Sequence, residues 1–195
     1  VGAHSYYVQG LPGAASSANQ GFMSNAGFVV TPDGVVVFDS LGTPPLAEAL
    51  IAKIRKITQA PIKRVIVSHY HADHVYGLQA FKAIGAKIWA HEGGKKYLAS
   101  DELVQRLAQR REELFPWVDE KTQVLQPDLW LNGDTDFELG GVHFALRHVG
   151  PAHSDEDLAL FVKEDQVLFA GDLVFKGRVP FVGDANSKLW LEALD

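Results

Sequence analysis

The sequence predicts a layered α/β sandwich, two sheets back to back with helices outside. Apolar strand segments dominate both ends of the chain, helical segments are interleaved among them, and an apolar hairpin opens the pattern. That arrangement suits a sandwich better than a doubly wound parallel sheet. A length of 195 residues, 47% hydrophobic and 22% charged, fits a single domain over residues 1–195 with one buried core.

Each element follows from a local pattern. Residues 10–21 are small and aperiodic and read as a loop at the surface or site edge. Residues 27–31 and 35–38 are apolar runs around Pro32-Asp33-Gly34, a strong turn signal, and Asp39 falls where the second strand ends. From Pro45, the residues Leu46, Leu50, Ile51, Ile54 and Ile57 share one helical stripe while Lys53, Arg55 and Lys56 lie off it. A short apolar strand at 64–67 precedes Ser68-His69-Tyr70-His71-Ala72-Asp73-His74, and a helical stretch then runs to about Gly85. The histidines therefore lie on a strand-to-helix loop. Residues 87–90 form a strand, and 102–115 form a charged helix stopped by Pro116. Its Arg106, Arg110, Arg111, Glu112 and Glu113 read as a solvated face. Strands at 135–139, 142–148, 158–162 and 167–170 follow, with Gly140-Gly141 as a turn, and a last helix spans 187–194.

Composition narrows the chemistry. A net charge of −6 argues against binding a phosphate backbone, so nucleic acid is a poor candidate partner and a small-molecule substrate is expected. No apolar run approaches the ~18 residues of a membrane helix, so no membrane partner is expected. With no cysteine, a transition-metal site must use imidazole and carboxylate. A first residue of Val1 rather than Met suggests a leader removed by a signal peptidase or by trimming, and the compartment stays open.

The chemistry is concentrated in His69-x-His71-x-Asp73-His74. Residues two apart in an extended loop point the same way, so His69 and His71 can reach one metal at ~2.0–2.1 Å. Asp73 and His74, where the chain turns into a helix, can aim at a second position nearby. His153 after Gly150-Pro151-Ala152 and Asp172 after Gly171 stand beyond separate strands, and such ends can converge on one cleft. His4, His91, His143 and His148 show no ligand spacing and read as structural or surface residues, and Tyr70 and Tyr76 flank the ligands.

These motifs, His69-Tyr70-His71-Ala72-Asp73-His74 with Gly150-Pro151-Ala152-His153-Ser154 and Gly171-Asp172, resemble the metallo-β-lactamase superfamily in the family's order. The resemblance implies the family's four-layer αββα sandwich. It implies zinc at two sites, with iron or manganese as substitutes: His69, His71 and His153 at the first, Asp73 and His74 at the second, Asp172 bridging. Asp39 matches the early aspartate that braces the histidine loop. At the bridging position many true β-lactamases have cysteine, whereas Asp172 is similar to the thioesterase, glyoxalase II and lactonase branches. The family also takes a last histidine after the bridging aspartate, and no His follows His153. The reading is therefore of a C-terminally incomplete domain lacking its final strand and helix, with an incomplete second metal site.

The resemblance implies a metallohydrolase in which metal-bound hydroxide attacks a thioester, ester or lactone carbonyl and Asp73 orients the water. Gly177-Arg178 resembles the glycine-arginine step of glyoxalase II relatives, so Lys176 and Arg178 are candidate anchors for a substrate carboxylate, with a solvated turn as the alternative. Residues 25–28, 116–119 and 177–181 also resemble exported zinc hydrolases associated with bacterial sulfur-oxidation and quinoprotein systems, a resemblance that implies an exported or periplasmic home. Alternatives are a persulfide dioxygenase-like enzyme with one iron on His69, His153 and Asp172, a β-lactamase, and a non-catalytic binding domain. The oligomeric state is not legible.

Overall fold

The computed structural model describes residues 1–177, 179–183 and 185–195. Six strands form the first sheet in sequence order: β1 (Ser5–Val8), β2 (Ala26–Thr31), β3 (Gly34–Phe38), β4 (Ile62–Ile66), β5 (Lys87–His91) and β6 (Leu129–Leu131). β1, β2 and β3 pair antiparallel, and β3 to β6 run parallel. Parallel pairing requires crossovers, supplied by α1 (Pro44–Ile57), by α2 (Ala72–Val75) with α3 (Leu78–Ala83), and by α4 (Gly94–Leu98) with α5 (Asp101–Glu113). The second sheet is an antiparallel set in the order β10 (Val167–Phe169), β9 (Leu158–Val162), β8 (Val142–His148), β7 (Thr135–Leu139). α6 (Ser187–Ala193) ends the chain.

β3 reads Gly-Val-Val-Val-Phe because both of its faces are covered. Val35 and Val37 face the helices with Leu50, Ile54, Leu78 and Phe81. Val36 and Phe38 face the second sheet, where Phe144, Leu146, Leu158 and Leu160 complete the layer between the sheets. Burying each such side chain contributes about 1.5–3 kcal/mol. On the far side of the second sheet, Ala159 meets Ala152, Leu173 and Trp190 of α6, so four layers are present among the described residues. The Trp190 indole donates to the Leu173 carbonyl at 3.0 Å. No helix among the described residues is long and apolar enough to cross a membrane.

The structure adds β1, β6 and α4, short elements without a periodic signature, and divides the helical stretch to Gly85 at Gly77. A β-carbon on Gly77 would collide with the Ser40 carbonyl oxygen and Ala47, so the crossover packs against α1 only through a glycine. α1 begins as expected, with Thr43 capping Leu46 N and Pro44 in the first turn. Ile57, assigned to its apolar stripe, is exposed at the last turn.

Candidate metal centre

The residues after β3, β4, β8 and β10 meet at one edge of the sandwich. Just beyond β3, Asp39 adopts φ +66°, a left-handed conformation that an Asp tolerates better than most residues. Its buried carboxylate accepts from Ser68 N at 2.7 Å and Ser68 Oγ at 2.8 Å, and its Oδ2 lies 2.8 Å from His74 Nδ1. Because Ser68 Oγ donates to Asp39, it accepts from His69 Nδ1, 2.9 Å away. Both rings are thus held at Nδ1, which leaves Nε2 facing the site.

The loop after β8 is tied to the histidine loop by one carboxylate and one backbone N–H. Glu156 Oε1 accepts from Tyr70 N at 3.0 Å, and Leu158 N donates to the Ser68 carbonyl at 2.9 Å. Asp157 accepts from Ser154 N and Ser154 Oγ, each at 2.7 Å, closing the turn that carries His153. Ser68, Glu156 and Asp157 were not singled out from sequence. The signal available was a hydroxyl before the first histidine and two acids on the His153 turn. At the fourth loop, Gly171 takes φ +54° and a β-carbon there would press on Ser68. Only glycine brings Asp172 this close to the histidine loop.

The result is two overlapping donor groups: His69, His71 and His153, and His69, His74 and Asp172, each with its ligand atoms within 4.8 Å of one another. His71 Nδ1 and His153 Nε2 are 3.0 Å apart, close to the about 3.4 Å expected between two ligands of a tetrahedral ion bound at ~2.0–2.1 Å. His74 Nε2 sits 3.5 Å from Asp73 Oδ2 and 3.3 Å from Asp172 Oδ1, while Asp172 Oδ2 lies 3.7 Å from His153 Nε2. The Nε2 atoms of His69 and His74 are buried without a hydrogen-bond partner. Buried polar atoms left unsatisfied are costly, and a cation between these rings and carboxylates would satisfy them. The donor set fits a metal ion.

Electrostatics agree with the geometry. For the protein chain alone, burial and then the neighbouring rings of His74, His71 and His153 hold His69 well below the usual histidine range. Burial and His153 push His71 down to about 4, so both remain neutral donors. His74 behaves oppositely: burial lowers it, but Asp39, Asp73 and Asp172 prevail and hold it well above its usual value. Burial raises Asp172, yet the imidazoles of His74, His153 and His71 bring it down to about 2. The carboxylate side of the site calls for positive charge.

A cavity of about 250 Å³ opens onto His71, Asp73, His153 and Asp172. Its wall carries Arg106 and Arg110, which corrects the reading of these two as part of a solvated face, while Glu112 and Glu113 are exposed as expected. Although no residue of α5 is fully buried, Leu107 packs on the outer core and turns the arginine flank toward the site. Lys176 lines an adjoining groove with Asp39, His74 and Asp172 rather than this cavity, and Arg178 lies outside the described residues. Tyr70 and Tyr76 are each 1% exposed and pack in the outer core instead of lining the cavity.

Comparison with known proteins agrees with this architecture. The chain is 30% identical over 137 residues to hydroxyacylglutathione hydrolase GloC of Haemophilus influenzae, covering 68% of the chain and 59% of that protein. It is 24% identical over 176 residues to a type 2 metallo-beta-lactamase of Elizabethkingia meningoseptica, covering 89% and 62% respectively. The chain thus spans about three fifths of the length of these relatives. Among solved structures, a metallo-beta-lactamase family protein from Thermus thermophilus superposes with TM-score 0.72 at 22% identity, over 98% of this chain and 68% of that one. A metallo-beta-lactamase from Pontibacter korlensis gives 0.66 at 22% identity, over 88% and 71%. These likenesses show the fold. The profile of the metallo-beta-lactamase superfamily matches residues 19–195, and with the four-layer sandwich and the histidine-rich strand-end loops already described, the chain belongs to that superfamily.

Proposed function

We propose that the protein is a metal-dependent hydrolase acting on a thioester, ester or lactone carbonyl, with zinc held at two neighbouring positions. The first would use His69, His71 and His153, and the second Asp73 and His74, with Asp172 between them. The observation that carries this is the pair of buried Nε2 atoms on His69 and His74, each fixed from behind through Nδ1 and left without a hydrogen-bond partner, with the Asp73 and Asp172 carboxylates 3.5 and 3.3 Å from the second. Asp172 supports the bridging role, since one carboxylate oxygen approaches His74 and the other His153. The hydrolase class rests on the metal-ligating donor set together with the relative named hydroxyacylglutathione hydrolase.

When bound, a divalent ion lowers the pKa of a water ligand from ~15.7 to about 7, supplying hydroxide at neutral pH. The chain's own residues do the rest. Asp73 lines the cavity and orients the attacking water by accepting its hydrogen bond. Asp39 and Ser68 keep the His74 and His69 rings in place, and the cavity admits a small acyl compound.

Elemental analysis combined with a thioester, lactone and β-lactam panel tests this reading. Zinc with thioester or lactone turnover, lost on His69→Ala or Asp73→Ala while the circular dichroism spectrum is kept, is the expected outcome. Near-normal rates in either variant would overturn the mechanism, and iron with oxygen consumption would replace it with the redox alternative.

A further inference from the structure

We infer that Arg106, with Tyr97 and Arg110 beside it, takes a carboxylate carried by the substrate away from its scissile carbonyl. This rests on the hydrolase reading above and names its substrate class: acyl compounds with one anionic end.

The cavity has two characters. Met23, Phe175 and Phe181 give it apolar sides next to His71 and His153, while Tyr97, Arg106 and Arg110 stand on the wall formed by α4 and α5. Arg110 is already engaged, its Nη1 donating to Glu113 Oε2 at 2.7 Å. Arg106 is half-buried, donates only to the neutral Gln109 amide oxygen at 3.2 Å, and forms no ion pair among the described residues. A partly desolvated guanidinium with its fork otherwise open is suited to a planar carboxylate. Tyr97 adds a hydroxyl donor, because burial and the Glu102 carboxylate push its pKa up to about 12 and keep it protonated.

The charge around the cavity favours a single anion. Glu102 lines the same cavity from α5, one turn before Arg106, so a second negative charge on the ligand would meet a carboxylate there. Among the described residues that line the cavity, one uncommitted guanidinium matches one carboxylate. The cavity is also small, about 250 Å³, which places that carboxylate within a short chain of the carbonyl.

The test compares kcat/KM of the zinc-loaded protein for thioesters ending in a carboxylate with their uncharged carboxamide counterparts. A preference of about tenfold or more for the carboxylate is expected, as for a hydrogen bond to a charged group. In Arg106→Gln the carboxylate-to-amide ratio should collapse to about one, and Arg106→Lys should keep part of it. An unchanged ratio in Arg106→Gln overturns the proposal. If neither series is hydrolysed, the hydrolase reading fails separately, and calorimetry then decides the point. Mercaptocarboxylates of increasing chain length should bind the zinc-loaded protein more tightly than their carboxamides, by a ratio that Arg106→Gln removes. Equal affinities for the two series would overturn it.

Discussion

Asp39 Oδ2 lies 2.8 Å from His74 Nδ1, and the same buried carboxylate accepts both the backbone and side-chain hydrogen bonds of Ser68, which in turn holds His69. One side chain therefore orients two rings that carry unsatisfied Nε2 atoms. Asp39→Asn keeps the shape but removes an acceptor and the charge. Zinc affinity should fall about 10–100-fold, as for the loss of a group behind a metal-binding histidine. A chelator competition titration measures it, and an unchanged affinity would show that the brace does not matter.

Gly171 stands where a β-carbon would lie 2.8 Å from Ser68 Cβ, at a backbone φ of +54°. Gly171→Ala combines a steric conflict with left-handed strain, each disfavoured for a residue with a β-carbon. Stability should drop by about 1–3 kcal/mol in urea unfolding, with weaker zinc binding because Asp172 is the next residue. An unaltered midpoint would contradict the close approach of the two loops.

How far the sequence reveals this arrangement depends on where the information is stored. The ligand cluster was legible because four donors fall within six residues after an apolar strand, and because His153 and Asp172 each follow a turn glycine. The hairpin was legible from two apolar runs around Pro32-Asp33-Gly34. The wall made by α5 was not. Its helix is charged nearly all round and has no fully buried residue, so only the packing of Leu107 decides that Arg106 faces the site. Likewise Ser68 and Glu156 act across loops distant in sequence, and their partners could not be paired without the fold. β1 and β6 are too short to show a period.

A stacked pair of histidines gives a pH prediction away from the metal ligands. The His91 and His148 rings lie 3.6 Å apart at 13°, His91 being 8% exposed. Burial, then the His148 ring, lowers the His91 pKa, against a smaller opposing pull from Glu92. His148 is tied to the Asp155 carbonyl and to Asp134. A lowered folded-state pKa means the unfolded chain binds more protons, so this contribution is complete above the ordinary histidine value of about 6.5 and lost as pH falls through it. His148→Gln should lose less thermal stability than the parent on acidification across that window. An equal loss in both proteins would count against the stack as the cause.

Metal removal should be visible in stability, because a ligand that binds only the folded chain stabilises it by mass action. At free zinc about a hundred times its dissociation constant, the gain is about 2.7 kcal/mol, or about 5–11 °C in melting temperature for a domain of this size. Differential scanning calorimetry with and without a chelator measures the shift. His69→Ala should abolish most of it, whereas an equal shift in that variant would place the zinc elsewhere.

Anomalous diffraction from zinc-grown crystals decides whether the strand-end side chains gather around divalent ions. A peak at ~2.0–2.1 Å from His69 Nε2, His71 Nδ1 and His153 Nε2 is the result expected, with a second, weaker peak beside His74 Nε2, Asp73 and Asp172. Zinc bound only at other residues, or imidazoles of His69, His71 and His153 turned away from a shared centre, would contradict it.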